Sequence, residues 1–181
     1  MTARGSQMLL KCVIALLLCF AAATESLAAG TDACLLPQGL DNELAKRSPG
    51  AHVVRLADLG AYEKKLYRKD FGTRCPGVVK VNFYGDGKPT WALVLISGEN
   101  PKRKAEVIVV RKLDSGWDIR SLETTDGEPV VWREGPGKYE DVYGQKTIQA
   151  TRPVVLLSDY GSYTIVYAWN DKEVEKVWLS D

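Results

Sequence analysis

The chain has 181 residues, 45% hydrophobic and 26% charged, the composition of an ordinary globular protein and far from that of a disordered one. Lys and Arg total 24 against 23 Asp and Glu, so the chain lacks the basic excess that a nucleic-acid-binding domain carries.

The N-terminus departs from this average. Arg4 and Lys11 flank the start of an uncharged apolar run from Cys12 to Ala23, and polar Thr24-Glu-Ser26 follows. This is the three-part layout of an export signal, and small Ser26 and Ala28 suit cleavage just after them. The run has 12 residues, whereas spanning a hydrocarbon core takes roughly 20. The expectation is a signal peptide over residues 1–28 and a periplasmic or secreted domain over 29–181, with no transmembrane segment left. Removing 1–28 leaves 22 Lys and Arg against 22 Asp and Glu. It also removes Cys12 and Cys19, so Cys34 and Cys75 remain. In an oxidising compartment two cysteines most simply form one disulfide. The alternative, a reactive Cys34 thiol, would want a C-x-x-C spacing or a helix N-terminus to lower its pKa.

Past the signal, Leu40 and Leu44 recur at helical spacing, and Ser48-Pro-Gly50 ends a first helix over 39–47. His52 to Leu56 reads as a short strand. Asp58 is placed to cap a second helix reaching about Lys69, with Leu59, Tyr62 and Leu66 on one face. Strand signals then take over. Val78 to Phe83 alternates, and Trp91 to Ile96 is continuously apolar, the pattern of a central strand covered on both faces. Ala105 to Arg111 returns after the turn Gly98-Glu-Asn-Pro101, and Asp114-Ser-Gly116 leads into Trp117 to Leu122. Later candidates are Val130–Trp132, Thr147–Gln149, Val154–Leu157, Tyr163–Trp169 and Glu173–Leu179. Gly135-Pro-Gly-Lys-Tyr139 reads as a surface turn. With tight turns and no crossover helices, the pattern predicts an α+β domain: two short N-terminal helices followed by one curved, mainly antiparallel β-sheet of about seven to nine strands.

The most distinctive string is Asn82-Phe-Tyr-Gly-Asp-Gly-Lys-Pro-Thr-Trp-Ala-Leu93. It resembles the D-x-N-G-D-G-x-x-D core of FG-GAP/VCBS-type repeats, whose alternating oxygen side chains surround Ca²⁺. Here Asn82, Tyr84 and Thr90 replace acidic or middle ligands, and Asp86 is the one carboxylate left. Asn82, Gly85, Asp86 and Gly87 therefore read as a hairpin turn that keeps the motif's shape without its metal. Together with Cys75-Pro-Gly-Val-Val-Lys, Tyr139-Glu-Asp-Val-Tyr143, Tyr167-Ala-Trp-Asn and Val177-Trp-Leu-Ser-Asp181, the string resembles a family of small exported bacterial proteins with no assigned activity. The resemblance brings no catalytic residues and no cofactor.

Catalytic readings find little to stand on. His52 is the sole histidine and no G-x-S-x-G frames a serine. H-E-x-x-H, a Walker loop and G-x-G-x-x-G are absent. Glycosidase-like carboxylate pairs such as Glu123 with Asp126, or Glu140 with Asp141, stay open because their separation is invisible in sequence. Trp91, Trp117, Trp132, Trp169 and Trp178 lie in or beside apolar strands. Core packing is the plainer reading, and stacking on a sugar or anchoring a partner the sharper one. Pro101-Lys-Arg-Lys104 reads as a basic hairpin tip that protects a sheet edge. The functional expectation is a non-enzymatic exported module that binds a protein or envelope component. A cell-wall hydrolase, or an inhibitor or immunity protein, is the alternative.

Overall fold

A computed structural model describes residues 32–99 and 102–180. The expected export signal lies outside them, as do Asn100 and Pro101 of the basic hairpin and the terminal Asp181.

Among the described residues two helices and eleven strands form, in the order α1 Leu40–Arg47, β1 His52–Val53, α2 Ala61–Phe71, β2 Val78–Val81, β3 Thr90–Ser97, β4 Lys104–Leu113, β5 Gly116–Asp126, β6 Val130–Glu134, β7 Gly137–Glu140, β8 Thr147–Ala150, β9 Val154–Asp159, β10 Tyr163–Trp169 and β11 Val174–Ser180. The two helices and the antiparallel pairing agree with expectation. The single sheet of seven to nine strands does not: eleven strands divide among three sheets. In the first sheet β3 carries β4 and then β5 along one edge, while β1 and β2 share its other edge. The second runs β6, β9, β10, β11, and β7 pairs with β8 alone.

The division follows from burial. Both β3 and β9 are apolar on both faces, and a sheet with two apolar faces needs a cover on each. One face of β3 and β4, bearing Leu93, Leu95, Ile108 and Val110, packs against Leu40 and Leu44 of α1. The opposite face, bearing Val94, Ile96, Val107 and Val109, meets Val131, Leu157, Ile165 and Tyr167 of the second sheet. That sheet's far face, with Val154, Leu156, Val166 and Val177, is covered by Ile148 and Ala150 of the β7–β8 ribbon. Four layers result, each apolar run buried twice. Fully burying one such side chain is worth about 1.5–3 kcal/mol.

Three local expectations change. Asp58 does not cap α2: its Oδ2 accepts from the Arg55 backbone N–H at 2.8 Å, and Gly60 precedes the helix without a side-chain cap. Tyr62 does not face the core. It is 62% exposed while Tyr67 is 1% exposed: Leu59 precedes the helix and does not mark its face, and the inward side is that of Tyr67 and Phe71, with Phe71 packed on Trp132. Gly137–Glu140, within the expected turn, is the strand β7, and its one apolar side chain, Tyr139, gave too little alternation to read.

One side of the two-sheet stack is tied by backbone. Cys34 and Cys75 form a disulfide with a Cα–Cα distance of 5.0 Å, joining the segment before α1 to the start of β2. Beside it, Gly77 accepts from Val94 N–H at 2.9 Å and Pro76 accepts from Val131 N–H at 2.8 Å. The second bond joins the β2 region to β6 in the other sheet. Gly77 has no room for a side chain: a Cβ there would lie 2.6 Å from the Val54 carbonyl oxygen and 2.7 Å from its nitrogen. No helix among the described residues is long and apolar enough to cross a membrane.

Candidate functional site

The opposite side of the stack, where β5 faces the β10–β11 hairpin, is held by side chains. The β10–β11 register places Trp169 beside Val174, Tyr167 beside Lys176 and Ile165 beside Trp178, so Trp169, Tyr167, Lys176 and Trp178 share the face turned toward β5. From β5, Arg120 and Glu123 pair with Val109 and Val107, both of which point into the same inter-sheet space. A cleft of about 270 Å³ lies here, lined by Arg120, Leu122, Tyr167, Lys172, Glu173 and Lys176 among others.

Its polar groups are partnered unevenly. Glu123 Oε2 takes the Lys176 ammonium at 2.6 Å and the Tyr167 hydroxyl at 3.4 Å. Burial, reinforced by that carboxylate, holds the Tyr167 phenol far above its ordinary range. Tyr163 donates to Thr125 Oγ1 at 2.9 Å, and burial raises its phenol too. At the far end, Asp118 is held by Arg111 at 2.9 Å. Arg120 has no carboxylate partner among the described residues. Its guanidinium carbon lies 5.1 Å from the Trp169 ring centroid and 5.9 Å from that of Tyr84, and those two rings meet edge to face at 5.1 Å. Cation–π contact steadies the guanidinium while leaving its in-plane N–H donors available. Lys172, at the hairpin tip beside the positive-φ Asp171 (φ 77°), likewise has no ion pair.

The turn from Asn82 to Pro89 sits at this end. Gly85 and Gly87 take positive φ of 71° and 76°, which any other residue adopts with strain. Asp86 Oδ1 accepts from the Lys88 backbone N–H at 2.9 Å and its Oδ2 lies 3.3 Å from Arg111. Its carboxylate thus faces a guanidinium, and Arg111 in turn covers the Tyr84 ring at 4.3 Å. No group of three or more His, Cys, Asp or Glu able to hold a metal occurs among the described residues.

The five tryptophans are all half-buried, and they do not make one aromatic face. Trp91 and Trp117 meet edge to face at 6.0 Å on the α1 side of the first sheet. Trp132 packs on Phe71 and donates to Glu134. Trp169 and Trp178 face the inter-sheet space beside β5. The carboxylate pairs are split by the pleat. Glu123 opposes Val107 and points between the sheets, whereas Asp126 opposes Lys104 and pairs with it at 2.5 Å on the other face. Glu140 pairs with Lys138, and neighbouring Asp141 accepts from the Tyr143 backbone N–H. His52 lies 3.4 Å from Asp58 and is exposed.

A larger groove of about 690 Å³ borders the disulfide, between the N-terminal end of α1 and β1. Its walls are mainly apolar, Asp32 and Arg55 in its lining pair with each other at 2.9 Å, and His52 lies 3.4 Å from Asp58. The Arg55 hydrogen bond, with a second from the Cys34 N–H, keeps the Asp32 carboxyl below its usual range. The inter-sheet cleft is smaller, but two of its cations, Arg120 and Lys172, form no ion pair among the described residues, while Lys176 is held by Glu123 and Glu173 is the other carboxylate at its wall. Sequence reasoning missed Arg120, because its residue type carries no signal and only the lack of a partner marks it. Comparison with family models, with curated proteins and with solved structures found no match to this chain.

Proposed function

We propose that this protein is an exported, non-enzymatic binding protein of the bacterial cell envelope, and that it recognises its partner on the open side between β5 and the β10–β11 hairpin. The observation that carries the reading is Arg120, a guanidinium steadied by two aromatic rings, which faces the cleft and forms no ion pair among the described residues, although Glu173 also lines the cleft. Arg120 is exposed, so an incoming anion would replace water at a guanidinium whose orientation the rings already hold. Export is supported by the signal layout of residues 1–28 and by the Cys34–Cys75 disulfide, which persists in oxidising compartments. Acting as an inhibitor or immunity protein would be one form of this function. Hydrolysis is the weaker reading, since each carboxylate of the candidate acid pairs is held by a cation or a backbone N–H.

The test is site-directed photocrosslinking in intact cells, with a photoreactive side chain at Lys172 on the open side and, as control, at Lys112 on the opposite face of the first sheet. The account expects a discrete adduct from position 172 and none from 112. Absence of an adduct at 172, or equal labelling at both, would contradict it.

A further inference from the structure

The sheet edges differ in how they are closed. The β2 and β6 edges are bridged by the Val131 N–H to Pro76 bond. The β11 edge is met by the 141–144 turn, whose Val142 N–H donates to the Trp178 carbonyl at 2.7 Å. β5 spans 11 residues, pairs only with β4, and makes no backbone-to-backbone bond outside that ladder among the described residues. About half of its N–H and C=O groups therefore point outward; on the leg Gly116–Ser121 the side-chain contact is Arg47 Nη1, 3.4 Å from the Ile119 carbonyl, and further along the Thr125 hydroxyl lies 3.5 Å from the Asp126 carbonyl. Natural sheets blunt such edges with bulges and charges. β5 has a bulge at Leu122, where the register with β4 shifts between Val107 and Ile108, and it leaves the leg Gly116–Ser121 regular.

The charges on this strand suggest an occupant. Asp118, Glu123 and Asp126 are each paired, with Arg111, Lys176 and Lys104. Arg120, the strand's one cation, is not. We infer that β5 is a docking edge for an extended segment of a partner protein, which adds a strand beside Gly116–Ser121 and sends an acidic side chain into the cleft toward Arg120 and Lys172. Main-chain bonds would supply affinity without regard to sequence, and the acid would supply specificity. Self-pairing of two β5 strands is the competing occupant of this edge, and sedimentation reads it out. The inference rests on the open side being the recognition surface, and it adds the partner's chemistry.

The test is selection of a displayed random-heptapeptide library on the purified protein. Enriched sequences should be β-branched and carry Asp or Glu. Replacing that acid by its amide should weaken binding about tenfold or more. Hydrogen exchange with a selected peptide bound should show new protection at 116–121. Arg120→Glu should turn the selected preference from acidic to basic, and Lys172→Glu, at an exposed tip where folding is not at stake, should weaken the acidic peptides. Acid-independent peptides, protection elsewhere, no enrichment, or self-association through β5 in sedimentation would each overturn the inference. If crosslinking succeeds at 172 while these fail, the binding reading stands and the acidic-strand mode falls.

Discussion

The two sides of the sheet stack are built from different interactions. Around Cys75 the chain closes with a disulfide, main-chain hydrogen bonds and a glycine pressed against Val54. Across from it, β5 meets β10 and β11 through Glu123–Lys176, Tyr163–Thr125 and Arg120 over Trp169. The backbone closure draws on no charged side chain, whereas the side-chain closure leaves Arg120 and Lys172 at the cleft without an ion pair among the described residues. The same molecule can thus draw its stability from one side and its recognition from the other.

The sharpest break in this comparison is removal of the disulfide. Cys34 and Cys75 are 41 residues apart, and on the chain-entropy account the double Cys→Ser variant should lose about 4 kcal/mol in chemical denaturation. Peptide or partner binding per folded molecule should not change. Next comes Gly77→Ala. Its Cβ would meet Val54 backbone atoms that cannot move aside, so a loss of roughly 1–3 kcal/mol is expected, again with the open side unaffected.

Two tyrosines sharpen the contrast. Tyr67 donates to the Cys75 carbonyl at 2.9 Å on the closed side, and Tyr67→Phe should cost about 1–2 kcal/mol at neutral pH by leaving that buried oxygen unpaired. Tyr167 makes only a long contact to Glu123, and Tyr167→Phe should be close to neutral there. Burial pushes the Tyr67 and Tyr160 phenols up to about 12, and Tyr167 higher. In the unfolded chain a phenol ionises near pH 10. Raised native values mean the folded state holds its protons longer, so stability is complete below about pH 10 and falls as pH climbs toward 12. Urea midpoints across that window should show the fall, and Tyr167→Phe should flatten it. The smallest stability effect belongs to Arg120→Gln, expected within about 0.5 kcal/mol of the parent while abolishing preference for an acidic peptide.

Much of this architecture is legible in sequence. The apolar run Trp91–Ile96 announces a strand buried on two faces, and β3 is that strand. The run Val154–Leu157 carried the same message for a second sheet, and reading both together would have yielded two sheets instead of one. The inward face of α2 differs from the expected one because an Asp58 start counts buried Leu59 as helical and so points to Tyr62 and Leu66, whereas Leu59 precedes the helix and Tyr67 marks its inward side. Of the site, Trp169 and Trp178 were named among five tryptophans with nothing to separate them. Arg120 stayed hidden because a missing ion pair is a property of three-dimensional neighbours, which no local pattern encodes.

Native-state hydrogen exchange of the protein without a partner tests the central contrast most directly. The account predicts that interior amides of β3, β4 and β9 exchange only through global unfolding, while the outward amides of Gly116–Ser121 exchange with little or no opening energy. Outward β5 amides as protected as those of β4 would contradict it, since the edge would then already be closed.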